Sequence, residues 1–276
     1  MKLSLALLGF VLLCQLAGAQ PVPGPYVPTE TILILGAVPQ EITPFVSAMK
    51  DAEKHDLWGI PYWTGHLGGK RVAVAITGIG KTDTAMTTTL FLAELKPRLV
   101  LMSGTGARID AQLRTGDVIV AGKLHEHDYG SLTRNDMVYR PFNGPVDGAE
   151  VENGFAPQAE LLAKADKAMA SYPAPQITAD GVTYAGKVRR GVVVSSDLFG
   201  VTEQRIVALR TGFHADIMEM ESAPLAHVCQ TFGVPYLVVR AGSNVAQEAP
   251  NDDYLRLGPI AAKQAALFTM HLLKYL

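Results

Sequence analysis

Glu219 and Glu221 flank Met220 in the stretch MEMES, and Glu41 follows a strand-like run in LGAVPQEI. Carboxylates placed where strands give way to helices stand where a helix N-terminus favours anions and where ligands of such folds gather. A third stretch, AITGIGKT over residues 75–82, fits a loose phosphate-loop pattern in which backbone amides cradle phosphates, Lys81 reaches them and Thr82 holds magnesium. The partner such a loop needs, an apolar strand ending in aspartate, is missing, since RLVLMSG ends on serine and glycine. KLHEHDYG gathers His125, Glu126, His127 and Asp128, but no further His or Cys stands at ligand spacing, so no metal is implied. Ser103–Gly106 lacks the order of a nucleophile elbow, which argues against acyl transfer.

The elements that must carry these residues alternate. TILILGA, KRVAVAITGIG, RLVLMSGTG, GDVIVAG, RRGVVVSS and PYLVVRAGS read as buried strands. Between them PQEITPFVSAMKDAEK, KTDTAMTTTLFLAEL, a segment near 157–171, MEMESAPLAHVCQTFG and GPIAAKQAALFTMHLLKYL read as helices. Such alternation predicts one α/β domain with a central sheet covered by helices on both faces. Ligands then gather beyond the strand carboxyl ends, here Gly36, Gly78, Gly104, Ser195 and Gly242 with their neighbours.

The first 19 residues have one early charge at Lys2, an apolar run from Leu3 to Leu13, and Ala17-Gly18-Ala19, the layout of a cleavable export signal. Residues 20–30 form a proline-rich lead-in, and 31–276 the single domain. The expected location is therefore outside the cytoplasm, periplasmic or secreted, with no membrane anchor after cleavage. The net charge of −2 gives no basic footprint for nucleic acid. Cleavage leaves Cys229 as the one cysteine, in an apolar helical pattern that suggests a buried structural thiol.

The ordered set ILGAVPQEI, TGIGK, SGTG, GDVIVAG, VSSDLF, MEMES, VPYLVVRAGSN and AAKQ resembles the purine nucleoside phosphorylase/nucleosidase superfamily. It is most similar to 5′-methylthioadenosine/S-adenosylhomocysteine nucleosidases, and the likeness runs over nearly all of 31–275. The resemblance implies a three-layer sandwich with a mixed sheet, no cofactor, and a homodimer. It implies that Glu41 activates water, and that Glu221 takes the ribose hydroxyls with Met220 packed on the sugar. Glu219, Thr105, Ser243 and Arg240 would shape the ribose and water pocket. Phe199 would stack on the base, backbone groups near Gly200 and Val201 would meet its edge, and Val38 and Tyr254 would flank the 5′-substituent.

Phosphorolysis needs bidentate cations for a dianion. The first glycine loop has no arginine, Met102 precedes SGTG, and Arg108 comes after it, so hydrolysis is the expected reaction. One position departs from the nucleosidase pattern: Asn244 stands where those enzymes carry a proton-donating aspartate. An amide can donate a hydrogen bond to the leaving base but not a proton. Three readings follow: hydrolysis of methylthioadenosine or S-adenosylhomocysteine, cleavage of a 6-oxopurine nucleoside by nucleosidase or phosphorylase chemistry, and nucleoside binding without turnover.

Overall fold

The computed structural model describes residues 26–134, 137–144 and 150–276. The expected export signal and most of the lead-in lie outside the described residues. Nine strands build the main sheet: β1 (Ile32–Gly36), β2 (Lys50–Leu57), β3 (Ile60–Leu67), β4 (Lys70–Ile76), β5 (Leu99–Arg108), β6 (Val118–Glu126), β7 (Val188–Ser195), β8 (Ile217–Glu219) and β9 (Tyr236–Val245). Among the described residues six α-helices accompany them: α1 (Pro39–Ala48), α2 (Lys81–Leu95), α3 (Ala159–Ala170), α4 (Glu203–Phe213), α5 (Ser222–Phe232) and α6 (Asn251–Leu272).

Strand side chains alternate between faces, and both faces of β1 are buried, which explains its unbroken apolar run. Ile32 and Ile34 enter a core with Phe45 of α1, Leu161 of α3 and Phe268 of α6. Leu33 and Leu35 enter the opposite core with Phe91 of α2 and Leu225 of α5. The result is the expected three-layer sandwich.

The sheet order is β8-β7-β6-β9-β5-β1-β4-β3-β2, and β8 also pairs with β5, so five strands close on themselves at one end. The sheet is mixed: β1 runs parallel to β4 and β5, whereas β9 is antiparallel to β6 and β8 antiparallel to β5. Register within this closed part sets the site. It places Arg240 beside Gly104 and Ala241 beside Thr105, and Ser195 beside Glu219.

Three boundaries differ from the sequence expectation. The first helix stops at Ala48 rather than running to Lys54, and KDAEKHDL becomes the edge strand β2, paired with β3. The apolar series Ile42, Phe45, Val46, Met49 is followed within the next turn only by the small Ala52, so a longer helix would have had little to bury. In MEMES, Glu219 ends strand β8 and the helix begins only at Ser222. The last helix starts at Asn251, ahead of Gly258-Pro259, with Asp252 and Asp253 in its first turn. Gly258 lets the Tyr254 ring pack close: a β-carbon there would lie 3.2 Å from that ring.

Candidate active site

A solvent-open cavity of about 650 Å³ lies at the carboxyl ends of the strands. Ten of the residues expected from sequence line it: Val38, Glu41, Thr105, Phe199, Glu219, Met220, Glu221, Ser243, Asn244 and Tyr254. The glycine-rich loop and the strand ends add Ala37, Ile79, Gly106, Ala107, Leu198 and Met218. Ile79 was within reach of the sequence, since it sits between the two glycines of TGIGK.

Each carboxylate has a distinct environment. A carboxylate offers about four lone-pair directions. Glu41, in the first turn of α1, is only 2 % exposed. Its Oε2 accepts the Ala37 N–H at 2.7 Å, and Oε1 accepts the Thr105 N–H at 2.8 Å and its hydroxyl at 3.0 Å. One direction is left on this cavity-lining side chain, which is enough for one water.

Glu219 is largely occupied. Its two oxygens accept the Ser195 hydroxyl, the Glu221 N–H at 3.0 Å, the Ser222 N–H at 2.9 Å and the Ser222 hydroxyl at 2.8 Å, and they also pair with Arg240. Glu219 lines the cavity as expected, and these contacts make it the anchor at the start of α5, most of its acceptor capacity being taken by the protein itself.

Glu221 is the opposite case. Its Oε1 accepts the Gly80 N–H at 3.0 Å and Oε2 accepts from Arg240 at 3.3 Å, leaving two directions for hydroxyl donors. Burial pushes its carboxyl up to about 8, with Arg240 opposing and Glu219 and Glu41 adding to the rise.

Arg240 lies beneath the cavity rather than in its wall. It is fully buried, donates to the Ser222 hydroxyl at 2.9 Å and the Thr105 carbonyl at 3.2 Å, and stands 3.9 Å from Glu41. One guanidinium thus underlies three carboxylates, which keeps the site net negative when all three are ionised. Gly104 makes that packing possible, since a β-carbon there would sit 2.4 Å from an Arg240 nitrogen and 2.6 Å from Glu41 Oε1.

Asn244 is buried at the end of β9. Its Oδ1 accepts the Ser243 hydroxyl at 3.0 Å and Nδ2 donates to the Val245 carbonyl at 2.9 Å. Phe199 meets Tyr254 edge-on at 5.7 Å and is 43 % exposed at the mouth. Tyr254 accepts from Gln40 at 3.0 Å, and burial raises its phenol so that it remains a neutral donor.

Gly200 and Val201 are not in this cavity; they line a neighbouring one with His127 and Arg205. The Val201 N–H is spent on the Gln247 carbonyl at 3.2 Å, and Gly200 packs against the Glu248 carbonyl. His125, Glu126, His127 and Asp128 do not converge. His125 Nδ1 is 2.6 Å from the Asn153 carbonyl, His127 meets Arg205, and the two carboxylates hold Lys81. Cys229 is buried and its thiol pushed up by desolvation.

The phosphate-loop reading of AITGIGKT fails on geometry. The amides that would cradle phosphate face carboxylates instead, Gly80 giving its N–H to Glu221 and Lys81 to Asp197 at 2.7 Å. Among the described residues that line the cavity there is no Lys, Arg or His.

This three-layer fold, with carboxylates, an amide and an apolar shelf at the strand ends, defines an enzyme of the nucleoside phosphorylase/nucleosidase class. The chain belongs to the phosphorylase superfamily, whose sequence model matches residues 31–274. Solved structures similar to it include nucleosidases. An aspartate-to-asparagine variant of the Helicobacter pylori 5′-methylthioadenosine nucleosidase, with 5′-methylthioadenosine in its active site, superposes with TM-score 0.75 at 29 % identity. That match covers 90 % of this chain and 100 % of the other. The futalosine hydrolase of Helicobacter pylori matches with TM-score 0.75 at 29 % identity, over 90 % of this chain and 98 % of that one. The Neisseria meningitidis 5′-methylthioadenosine/S-adenosylhomocysteine nucleosidase, bound to methylthio-immucillin-A, shares the fold with TM-score 0.77 at 24 % identity, covering 90 % and 100 %.

Proposed function

We propose that this protein hydrolyses the N-glycosidic bond of a purine nucleoside, with 5′-methylthioadenosine or S-adenosylhomocysteine as the preferred substrate. The observation that carries this reading is the division of labour among the carboxylates. Glu41 has one acceptor direction free for water, Glu221 has two free for the ribose hydroxyls, and among the described residues no cation lines the cavity to hold phosphate.

Bond cleavage builds positive charge on the ribose, and a net negative floor of buried carboxylates stabilises it. Glu41 takes a proton from the water as that water attacks the anomeric carbon, and the C–N bond electrons leave with the base. Glu221 accepts from the ribose hydroxyls, which favours its charged form on binding. Phe199 offers a face to the base, and the Asn244 amide can donate a hydrogen bond to it without transferring a proton. The base therefore leaves with weaker assistance than a carboxylic acid would supply.

Asn244 carries a second reading, in which the base is a 6-oxopurine, for which an amide offers both a donor and an acceptor. The leader layout supports an exported protein. The exposed Ile79, Leu198 and Phe199 at the cavity mouth support a homodimer in which a second copy covers the 5′ end.

The test is release of free base from methylthioadenosine, S-adenosylhomocysteine, adenosine and inosine, each with and without phosphate. Release from methylthioadenosine or S-adenosylhomocysteine without phosphate is expected. A strict phosphate requirement refutes hydrolysis, release from inosine alone refutes the adenine preference, and tight binding without release assigns a carrier role.

A further inference from the structure

Lys81 has no part in the glycosidic chemistry, yet it closes a ring of contacts beside the cavity. Its Nζ donates to Asp128 Oδ1 at 2.7 Å and to Glu126 Oε2 at 2.9 Å. The other Asp128 oxygen accepts the Asp197 N–H at 3.0 Å. Asp197 Oδ1 in turn accepts the Lys81 N–H at 2.7 Å. Side chain and backbone of one lysine thus tie three segments together: the start of α2, the end of β6, and the loop after β7.

The local reasons are physical. The N-cap of α2 is Gly80, which has no side chain to cap with, so Asp197 supplies the anion from another segment. Gly80 is at φ 93°, and a β-carbon there would lie 2.9 Å from Asp197 Oδ1, so the contact needs glycine. Burial raises Glu126, and Lys81 opposes that rise.

The ring has consequences for the site on both sides. Gly80, next to Lys81, gives its N–H to Glu221. Asp197 is followed directly by Leu198 and Phe199, both cavity residues. We propose that Lys81 is a positioning residue: through Asp128 and Asp197 it holds the Leu198–Phe199 loop against the start of α2, so that the face meeting the base and the carboxylate meeting the ribose keep one relative register. The effect on catalysis rests on the nucleosidase reading; the ring itself does not.

The test uses Lys81→Met, Lys81→Arg and Asp197→Ala in the full mature chain, with amide hydrogen exchange and steady-state kinetics as readouts. Asp197 is exposed, so its alanine variant carries the test should Lys81→Met fail to fold. Exchange at residues 197–199 is expected to rise by about tenfold or more in Lys81→Met and Asp197→Ala, with β1 as the unchanged reference. KM for the nucleoside is expected to rise about 10–100-fold, with a smaller fall in kcat, and Lys81→Arg to restore it to within about threefold. Unchanged exchange in Asp197→Ala overturns the ring whatever the protein turns over. Faster exchange with KM unmoved overturns the positioning role. Faster exchange in a parent protein that releases no base upholds the ring and rejects the nucleosidase reading.

Discussion

Replacing Glu41 by glutamine preserves the shape of the side chain while removing its charge and one acceptor oxygen. In the structure both oxygens face backbone donors, the Ala37 N–H at 2.7 Å and the Thr105 N–H at 2.8 Å. The amide nitrogen must therefore oppose one buried N–H in either orientation. An unmet buried donor costs about 1–3 kcal/mol. For a domain of this size that corresponds to a fall of about 2–12 °C in melting temperature. Loss of the general base is worth about 10²–10⁴-fold in turnover, or about 3–5 kcal/mol of barrier. The two effects separate by assay: melting reports the donor mismatch, and initial rates of base release at saturating nucleoside, well below the melt, report the chemistry. A third readout is internal to the carboxylate cluster. Glu41 contributes to the rise of the Glu221 carboxyl, so Glu41→Gln should shift the titration seen in kcat/KM toward lower pH. Turnover within tenfold of the parent, with the melting shift present, would refute the role of Glu41 as the base.

Asn244→Asp should raise adenine release by about 10²–10⁴-fold, since a carboxylic acid can deliver the proton that the amide cannot; equal or slower release in single-turnover assays counts against the leaving-group argument. The Glu221 carboxyl, raised to about 8, should make kcat/KM climb as pH rises from 6 toward 8, read from a pH–rate series on the free enzyme; a flat profile rejects the need for its charged form. The same rise has a stability sign. Above its unfolded value near 4.5 the folded chain holds the Glu221 proton more tightly, so its contribution is full below that pH and is lost as pH climbs through about 8, measurable by denaturant unfolding at pH 5, 7 and 9. Gly104→Ala would press a methyl group to 2.4 Å from Arg240 and 2.6 Å from Glu41, so activity should fall at least tenfold with a lowered melting temperature; near-parent values for both would show that the floor of the site can yield.

Much of the site was legible because the residues that carry it sit where strands end. Glu41 after LGAVPQ, Thr105 in SGTG and Asn244 in RAGSN all follow apolar runs that had to be buried strands. The helix bounds were legible where apolar spacing persisted, as in KTDTAMTTTLFLAEL, which forms α2 from Lys81 to Leu95. They were illegible where pairing with a neighbour overrode local spacing, as in KDAEKHDL, whose strand exists because β3 lies beside it.

Roles within the carboxylate set were another matter. Glu219 and Glu221 are near neighbours of the same type at the same helix start, and nothing local separates them. Strand register decides: Ser195 lies opposite Glu219 on β7, which fills that carboxylate, whereas Glu221 meets the Gly80 amide from a loop far away in the chain and keeps room for a ligand. Arg240 likewise reads as a pocket residue, and becomes the buried counter-charge only because β9 pairs with β5 beside Gly104. Lys81 and its glycines match a phosphate loop in one dimension, but the folded chain aims their amides at Glu221 and Asp197. Residue types and their periodicity determined the layers, the strand ends and the chemistry available there. Which acceptors stay free, and which cation is buried, depended on register and long-range pairing. Hydrogen-bond capacity is consumed by neighbours in space, and the order of residues along the chain does not record them.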